Sequence, residues 1–225
     1  MSDQLQVDTV DERLVLTLDN PDMRNALSYE IATGIIDALE EMDADEIRCV
    51  VLQGSGGTFC AGGDIQAMLE GVTSDRPTEE LVEERAVPTN RAVQRVYECP
   101  VPTIAKVDGP AFGAGGALAI ACDMVLASER AKISFGFRQV GLSVDSGTSA
   151  LLPRQVGESV ALDLVYTGEL IDAERAHDLG LFTRVFAEEE FEQRASELVE
   201  QVATGPTLAL KRSKRLLKEG RTRGI

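Results

Sequence analysis

Two glycine-rich stretches decide the fold: FCAGGDI at residues 59–65 and PTIAKVDGPAFGAGG at residues 102–116. Each pairs a strand pattern with a sharp turn into a helix start, where the first backbone N–H groups have no partner inside the helix. Small residues let a ligand approach such a backbone closely. Two N–H groups that converge on one oxygen atom form an oxyanion hole, in which each donor is typically worth about a hundred- to a thousandfold in rate.

Other glycine-rich motifs do not fit these stretches. A phosphate-binding P-loop needs lysine and serine or threonine where Gly63 and Asp64 stand. A dinucleotide-binding fingerprint that begins at Gly113 would need glycine at Leu118. The sequence also contains no G-x-S-x-G nucleophile elbow. Its single histidine, His177, lies in a polar helical pattern, which predicts an ordinary surface residue rather than a catalytic base.

Alternating strand and helix patterns predict an α/β fold with one domain and a helical C-terminal extension. Ser28 and Asp172 are placed to cap helices, and the second of these helices would stop at Gly180. Residues 70–98 are polar and interrupted by proline, so we expect a loop and a helix that cover a site. The predicted strands are residues 13–18, 47–52, 103–107, 124–127 and 132–135, and two helices are predicted to finish the chain.

The composition narrows the possible partners. The 225 residues carry a formal charge of −16, which disfavours nucleic acid and anionic membranes. No apolar run is long enough to span a membrane, and the acidic N-terminus is not a secretory signal. Four cysteines without a C-x-x-C pair indicate reduced thiols in the cytoplasm rather than structural zinc. The charge fits either an ordinary acidic surface or a protein from a high-salt (halophilic) cytoplasm.

Together the two stretches resemble the crotonase (enoyl-CoA hydratase/isomerase) family, whose patterns are F-x-A-G-x-D and P-x-I-A-x-V-x-G-x-A-x-G-x-G. The resemblance extends from about residue 14 to residue 216. It implies a spiral of ββα turns over residues 1–200 that binds acyl-CoA and assembles as a homotrimer or a dimer of trimers. Residues 201–225 would then begin the C-terminal helical region that supports trimerisation.

The resemblance also assigns roles to individual residues. The two amides that would hold the thioester oxygen fall on Gly63 and Ala114. Asp64 fits a helix cap at least as well as a substrate contact. Arg24 and Lys106 are candidates for contact with the phosphates of coenzyme A, and a solvated surface role fits either residue equally well. No metal or cofactor is implied, because coenzyme A is part of the substrate. The substrate and coenzyme A contacts implied are Arg24, Ala61, Gly62, Asp64, Ile65 and Gly113.

The side chains around the predicted hole favour one reaction of the family. The two glutamates of the hydratases correspond to Ala117 and Gln139, and neither can transfer a proton. Residues 141–154, GLSVDSGTSALLPR, resemble the members that move double bonds, including those of phenylacetyl-CoA breakdown, and their catalytic aspartate corresponds to Asp145. From local sequence alone, Asp145 would instead cap a helix near Thr148.

The predicted function is therefore isomerisation of an enoyl-CoA in fatty-acid or aromatic acyl-CoA breakdown. Two alternatives stay open: a hydratase or another lyase or thioesterase with the same hole, and a catalytically idle subunit used for binding or assembly. The C-terminus bears on the last alternative. Residues 211–223 hold seven basic residues and one acid, and most relatives continue beyond this helix. A natural short form, a truncated product and an expressed fragment are all compatible with this end.

Overall fold

A computed structural model describes residues 3–73 and 76–220 of the chain. The strands in this part are β1 Leu5–Val10, β2 Arg13–Leu18, β3 Cys49–Gly54, β4 Thr103–Val107, β5 Pro110–Phe112, β6 Met124–Ser128, β7 Lys132–Ser134, β8 Ile171–Asp172 and β9 Arg184–Phe186. The α-helices are α1 Tyr29–Glu41, α2 Ile65–Val72, α3 Thr78–Leu81, α4 Val87–Glu98, α5 Ala114–Ala121, α6 Thr148–Val156, α7 Glu158–Thr167, α8 Ala173–Asp178, α9 Glu188–Ala203 and α10 Thr207–Glu219. A π-helical turn, Val82–Ala86, joins α3 to α4, and 3₁₀ turns span Pro21–Met23 and Phe137–Val140.

The strands form two sheets. The larger has the order β1-β2-β3-β4-β6-β9, in which β1 and β2 are antiparallel and the other neighbours are parallel. The smaller has the order β5-β7-β8. Parallel neighbours need crossover connections, and α1, α4 and α5 lie in those connections. The predicted α/β class is therefore confirmed.

Helices cover both faces of the larger sheet, which explains why its central strand β3 begins with four consecutive buried apolar residues. In β3, Val50 and Leu52 face the main core, which includes Ile35 of α1 and Val93 of α4. The intervening Cys49 and Val51 face a second core formed with α9. A strand buried on both faces loses the alternation of apolar and polar residues. The second core contains Cys49, Val51, Ile104, Leu126, Phe191, Ala195, Val199 and Ala203.

Several predicted boundaries are confirmed by specific contacts. The Ser28 hydroxyl accepts a hydrogen bond from the Ile31 amide at 3.2 Å, and Asp172 Oδ1 accepts from the Arg175 amide at 2.9 Å. The strand predicted at residues 47–52 begins only at Cys49, because the Ile47 amide is bonded to the Asp43 carbonyl in the preceding turn. Most of residues 70–98 are helical rather than loop, although residues 74 and 75 lie outside the described part.

β1 has no counterpart among the predicted strands. It pairs antiparallel with β2 at the edge of the larger sheet, and most of its residues are exposed. An edge strand of this kind carries little apolar signal in the sequence.

Three further features concern the described residues taken together. Within residues 3–73 and 76–220, no helix is both long and apolar enough to cross a membrane. The same residues contain no group of three or more histidines, cysteines, aspartates or glutamates that could hold a metal ion. All four cysteines are free and buried.

Candidate active site

The two glycine-rich stretches lie against each other in space. Cys60 and Ala111 form a parallel β-bridge, in which the Phe112 amide donates to the Cys60 carbonyl at 2.9 Å. The contact depends on glycine, because a Cβ atom built on Gly115 would lie 2.3 Å from the Cys60 carbonyl oxygen. Backbone hydrogen bonds and close packing therefore join the two predicted halves of the oxyanion hole.

The amides of Gly63 and Ala114 are the free donors at this junction. Gly113 precedes α5 with φ +51° and donates its own N–H to the Ser134 carbonyl at 2.8 Å. Ala114 is the first residue of α5, so its N–H has no acceptor within the helix. Among the backbone hydrogen bonds of the described residues, neither the Gly63 nor the Ala114 amide has an acceptor, and both residues line one cleft. The arrangement is suited to an oxygen atom that carries developing negative charge.

The cleft has a volume of about 290 Å³, close to the lower end of the range for small-molecule sites. Its walls are largely apolar and come from α2, α4, α5 and the segment from Ser134 to Asp145. Such walls exclude water and strengthen the electrostatic interactions inside the site. The apolar lining side chains are Ala61, Ile65, Met68, Ala86, Phe112, Ala114, Phe137, Val140, Leu142 and Leu170.

Asp145 is the carboxylate that lines this cleft in the described part of the chain. It is half-buried, and burial raises the pKa of its carboxyl, while a hydrogen bond from Ser146 Oγ to Oδ1 at 2.9 Å opposes that rise. A raised pKa is typical of a carboxylate that exchanges protons during a reaction.

The capping role that local sequence suggests for the Asp145 side chain is wrong. The N-cap of α6 is Gly147, and no side chain caps this helix. The Thr148 amide instead donates to the backbone carbonyl of Asp145 at 2.8 Å. Because the main chain satisfies this donor, the carboxylate is left for the cleft.

The positions of the two hydratase glutamates differ in their surroundings. Ala117 is fully buried within α5 and does not line the cleft. Gln139 does line the cleft, and its Nε2 donates to the Gly168 carbonyl at 3.1 Å. Neither position supplies an acid, and the Gln139 amide is already engaged with the backbone.

The other predicted site residues divide into two groups. Ala61, Gly62, Ile65 and Gly113 line the cleft with the two amides. Asp64 does not line it, because its Oδ1 accepts from the Ala67 amide at 2.9 Å and so caps the first turn of α2.

The predicted cationic contacts are not at the cleft. The Arg24 side chain is exposed, and the residue contributes through its carbonyl, which accepts from the Ala61 amide at 3.0 Å. Lys106 lies on the sheet, and its Nζ is 2.6 Å from Glu192 Oε1 of α9. Neither side chain lines this cleft, and their contact with the coenzyme A phosphates outside it stays a prediction. His177 is exposed, and its Nδ1 lies 3.0 Å from the Phe182 carbonyl oxygen, away from the cleft.

The prediction that part of residues 70–98 covers a site is confirmed, but the sequence did not indicate which side chains of this segment face the cleft. Arg85, at the end of the π-helical turn, and Thr89 of α4 both line the cleft. The Nη1 atom of Arg85 is buried and has no hydrogen-bond partner among the described residues. Arg85 follows two glutamates in the sequence, a pattern typical of a solvated helix face, so the local sequence contains no signal for this position.

Comparisons with known proteins agree with this geometry. A family model described as enoyl-CoA hydratase/isomerase matches residues 12–223. The 1,2-epoxyphenylacetyl-CoA isomerase of Escherichia coli (strain K12) is 35% identical over 198 residues, which cover 88% of this chain and 75% of that protein. The 4-chlorobenzoyl coenzyme A dehalogenase-2 of Arthrobacter sp is 28% identical over 204 residues, 90% of this chain and 73% of that protein.

Solved structures show the same fold. A crystal structure of an enoyl-CoA hydratase from Polaromonas sp. JS666 matches with a TM-score of 0.89 at 35% identity, covering 98% of this chain and 85% of that one. The expected crotonase-type fold is thereby confirmed, while the names of the relatives cover several reactions. By the extent of the family match and the two joined glycine turns, this chain belongs to the enoyl-CoA hydratase/isomerase (crotonase) family.

Proposed function

We propose that this protein is an enoyl-CoA isomerase, in which Asp145 moves a proton between two carbons of an acyl-CoA thioester. The observation that carries this proposal is the position of Asp145. Its carboxylate shares one apolar cleft with the free amides of Gly63 and Ala114, and burial raises its pKa.

The proposed reaction needs one base and one oxyanion hole. The Asp145 carboxylate takes a proton from the carbon between the thioester carbonyl and the double bond of a 3-enoyl-CoA. The electron pair moves to the thioester oxygen, and the amides of Gly63 and Ala114 hold the resulting enolate. Asp145 then returns the same proton to the far carbon of the former double bond, which gives the 2-enoyl-CoA. No water is consumed and no other group gains or loses a proton.

Among the described residues no second acid lines the cleft, which supports isomerisation over hydration. Hydration of a double bond adds water, so a base must activate the water while an acid protonates carbon. The two positions that carry glutamate in hydratases hold Ala117, which is buried outside the cleft, and Gln139, which is bonded to Gly168. A single carboxylate that both removes and returns the proton is sufficient for isomerisation.

Asp145→Asn tests the proposal directly. We expect kcat for isomerisation of a 3-enoyl-CoA to fall about a hundredfold or more, because an amide cannot accept the proton and a general base typically contributes that much. KM should change little, since asparagine has nearly the same shape. The matched control is Asp163→Asn, on the exposed face of α7, which should leave kcat unchanged.

Two results would contradict the proposal. One is turnover by Asp145→Asn within about threefold of the wild type. The other is rapid hydration of a 2-enoyl-CoA by the wild type with no isomerisation. Failure of any acyl-CoA to bind in calorimetry would favour the idle-subunit alternative instead.

Two further expectations belong to this proposal. The enzyme would act on its acyl-CoA substrate as a homotrimer or a dimer of trimers in the cytoplasm, as the family resemblance implies. The Nη1 atom of Arg85 lies in the cleft wall and has no hydrogen-bond partner in the described part of the chain, which supports contact with an oxygen atom of the substrate.

A further inference from the structure

We propose that Ser146, whose backbone is held by a hydrogen bond to Asn90 of α4, is a positioning residue that holds the Asp145 carboxyl in one orientation toward the cleft. The inference rests on the proposed role of Asp145 as the base. It goes further because it assigns functions to two residues outside the cleft lining and links the base to α4.

The backbone of Ser146 adopts an unusual conformation that something must hold. Its φ is +49°, in the left-handed region that residues other than glycine, asparagine and aspartate rarely adopt. The residue is fully buried. Such conformations persist where the surrounding structure imposes them, and they are concentrated at functional sites.

Asn90 provides the restraint. Its Oδ1 accepts the Ser146 amide at 2.6 Å, across 56 positions of sequence. Without this acceptor, the N–H of a fully buried residue would lose its hydrogen bond, which is unfavourable inside a protein. The bond therefore attaches the Asp145 loop to the first turn of α4.

A second hydrogen bond joins Ser146 to the proposed base, Asp145. Ser146 Oγ donates to Asp145 Oδ1 at 2.9 Å. Since the Ser146 backbone is held, its hydroxyl lies in one place and the carboxyl that it contacts is oriented by it. A donor of this kind favours the ionised carboxylate, in the direction opposite to burial, so it keeps Asp145 able to accept a proton.

The helix that holds Ser146 in place, α4, also forms part of the cleft wall. Thr89, next to Asn90 on α4, lines the cleft, as does Arg85 just before the helix. Arg85 is the charged side chain that shares the cleft with Asp145 in the described part of the chain. Two other arginines on these elements have partners outside the cleft: Arg91 of α4 with Glu40 at 2.8 Å, and Arg138 of the 3₁₀ turn with the Thr167 carbonyl at 3.2 Å.

The first test removes the Ser146 hydroxyl. Ser146→Gly deletes the donor while tolerating positive φ, and Ser146→Ala deletes it with the side chain otherwise retained. We expect the pKa of Asp145 to rise in both variants. This is measured by the carboxyl carbon NMR titration of ¹³C-labelled protein, with the resonance assigned from Asp145→Asn. The control is Ser149→Ala, whose side chain is exposed in the first turn of α6 and which should leave the titration unchanged.

The second test removes the hydrogen bond between the Ser146 amide and Asn90. We expect Asn90→Ala to lower kcat for 3-enoyl-CoA isomerisation about tenfold to a hundredfold, because small displacements of a reacting group have effects of this size. Asn90→Asp keeps an acceptor oxygen and should restore most of kcat at alkaline pH. Its added charge should move the acidic limb of the rate profile to higher pH, a change that a merely structural role would not produce. Gln94→Ala, one turn along α4 and bonded to the exposed side chain of Glu98, is the control.

The outcomes separate this inference from the proposed function. An unchanged Asp145 titration in both Ser146 variants, or an unchanged kcat in Asn90→Ala, overturns the positioning role. Full isomerase activity of Asp145→Asn overturns the base assignment instead. The NMR titration needs no turnover, so it tests the Ser146 contact in either case.

Discussion

At the scale of single residues, Gly62 is where the two halves of the oxyanion hole meet. Its φ is +100°, and a Cβ atom built on it would lie 2.8 Å from the Phe112 carbonyl oxygen and 3.6 Å from the Ala114 nitrogen. No side chain fits this gap without moving one amide away from the other. The spacing of the Gly63 and Ala114 amides thus depends on the absence of a side chain at Gly62.

Gly62→Ala should therefore damage catalysis more than folding. We expect kcat/KM for isomerisation to fall about a hundredfold, the size of the loss when one oxyanion donor is misplaced. The control is Gly180→Ala, at similar φ (+78°) but with no atom within 4 Å of the new Cβ, which should cost some stability and leave kcat/KM unchanged. Equal activity losses in the two variants would show that backbone strain, rather than the hole, is responsible.

The ionisation of Asp145 predicts a pH dependence. As a base, the residue must be ionised, and burial raises its pKa above the ordinary value for aspartate. Its carboxylate is therefore protonated on acidification earlier than an exposed aspartate would be. We expect kcat for isomerisation to decline as pH falls through this raised pKa, measured in a constant-ionic-strength buffer series. A profile that stays flat down to the range of an ordinary aspartate would contradict the shift.

At the scale of secondary-structure elements, α10 is attached to the body by a stripe of lysines. Lys214 Nζ lies 2.6 Å from Asp123 Oδ2, and Lys218 Nζ lies 3.2 Å from Asp123 Oδ1. Lys211 donates to the Ala44 carbonyl. Asp123 also accepts from the Thr103 amide at 2.8 Å, so one carboxylate joins α10 to β4. The basic charge that the sequence concentrates in this helix is used, in part, for docking.

Asp123→Asn should loosen this attachment. We expect the free energy of unfolding to fall by about 2 kcal/mol, because hydrogen bonds to charged groups in partly buried positions have roughly that value. Urea denaturation followed by circular dichroism measures the change. Asp45→Asn is the matched control: Asp45 is almost fully exposed and lies 4.0 Å from Lys211 of the same helix, so stability should not change. Equal effects of the two substitutions would rule out the anchoring role of Asp123.

At the scale of the whole molecule, the charge of −16 is compatible with two kinds of host, and the effect of salt on stability distinguishes them. Salt shortens the range of repulsion between exposed acids, from about 10 Å at 0.1 M to about 3 Å at 1 M. It also weakens exposed ion pairs such as Arg194–Glu197 and Arg215–Glu219. The sign of the salt effect on stability shows which contribution dominates.

If repulsion dominates, as a high-salt host implies, Tm should rise by about 4 °C or more between 0.1 and 2 M KCl, equivalent to roughly 1–2 kcal/mol for a chain of this length. Sucrose at matched osmolality is the control for general solvent effects. Light scattering of the same samples checks the predicted homotrimer. A Tm that is constant or lower in KCl would favour an ordinary acidic surface.

The sequence by itself determined the fold class, the family and the two amides of the candidate hole. These features are local, because glycines, strand patterns and helix starts act over a few residues. The strands at residues 13–18 and 103–107 and the caps Ser28 and Asp172 were predictable for the same reason. Features that depend on distant partners were not predictable.

Only the tertiary structure decided what surrounds the two amides. It directs the Asp145 carboxylate to the cleft instead of a helix cap, because a backbone carbonyl satisfies the Thr148 amide. It places Arg85 in the cleft wall and leaves the Arg24 side chain outside. The Asn90–Ser146 bond joins residues 56 positions apart. Such contacts arise when helices and loops pack together, and no local pattern of residue types specifies which of them will meet.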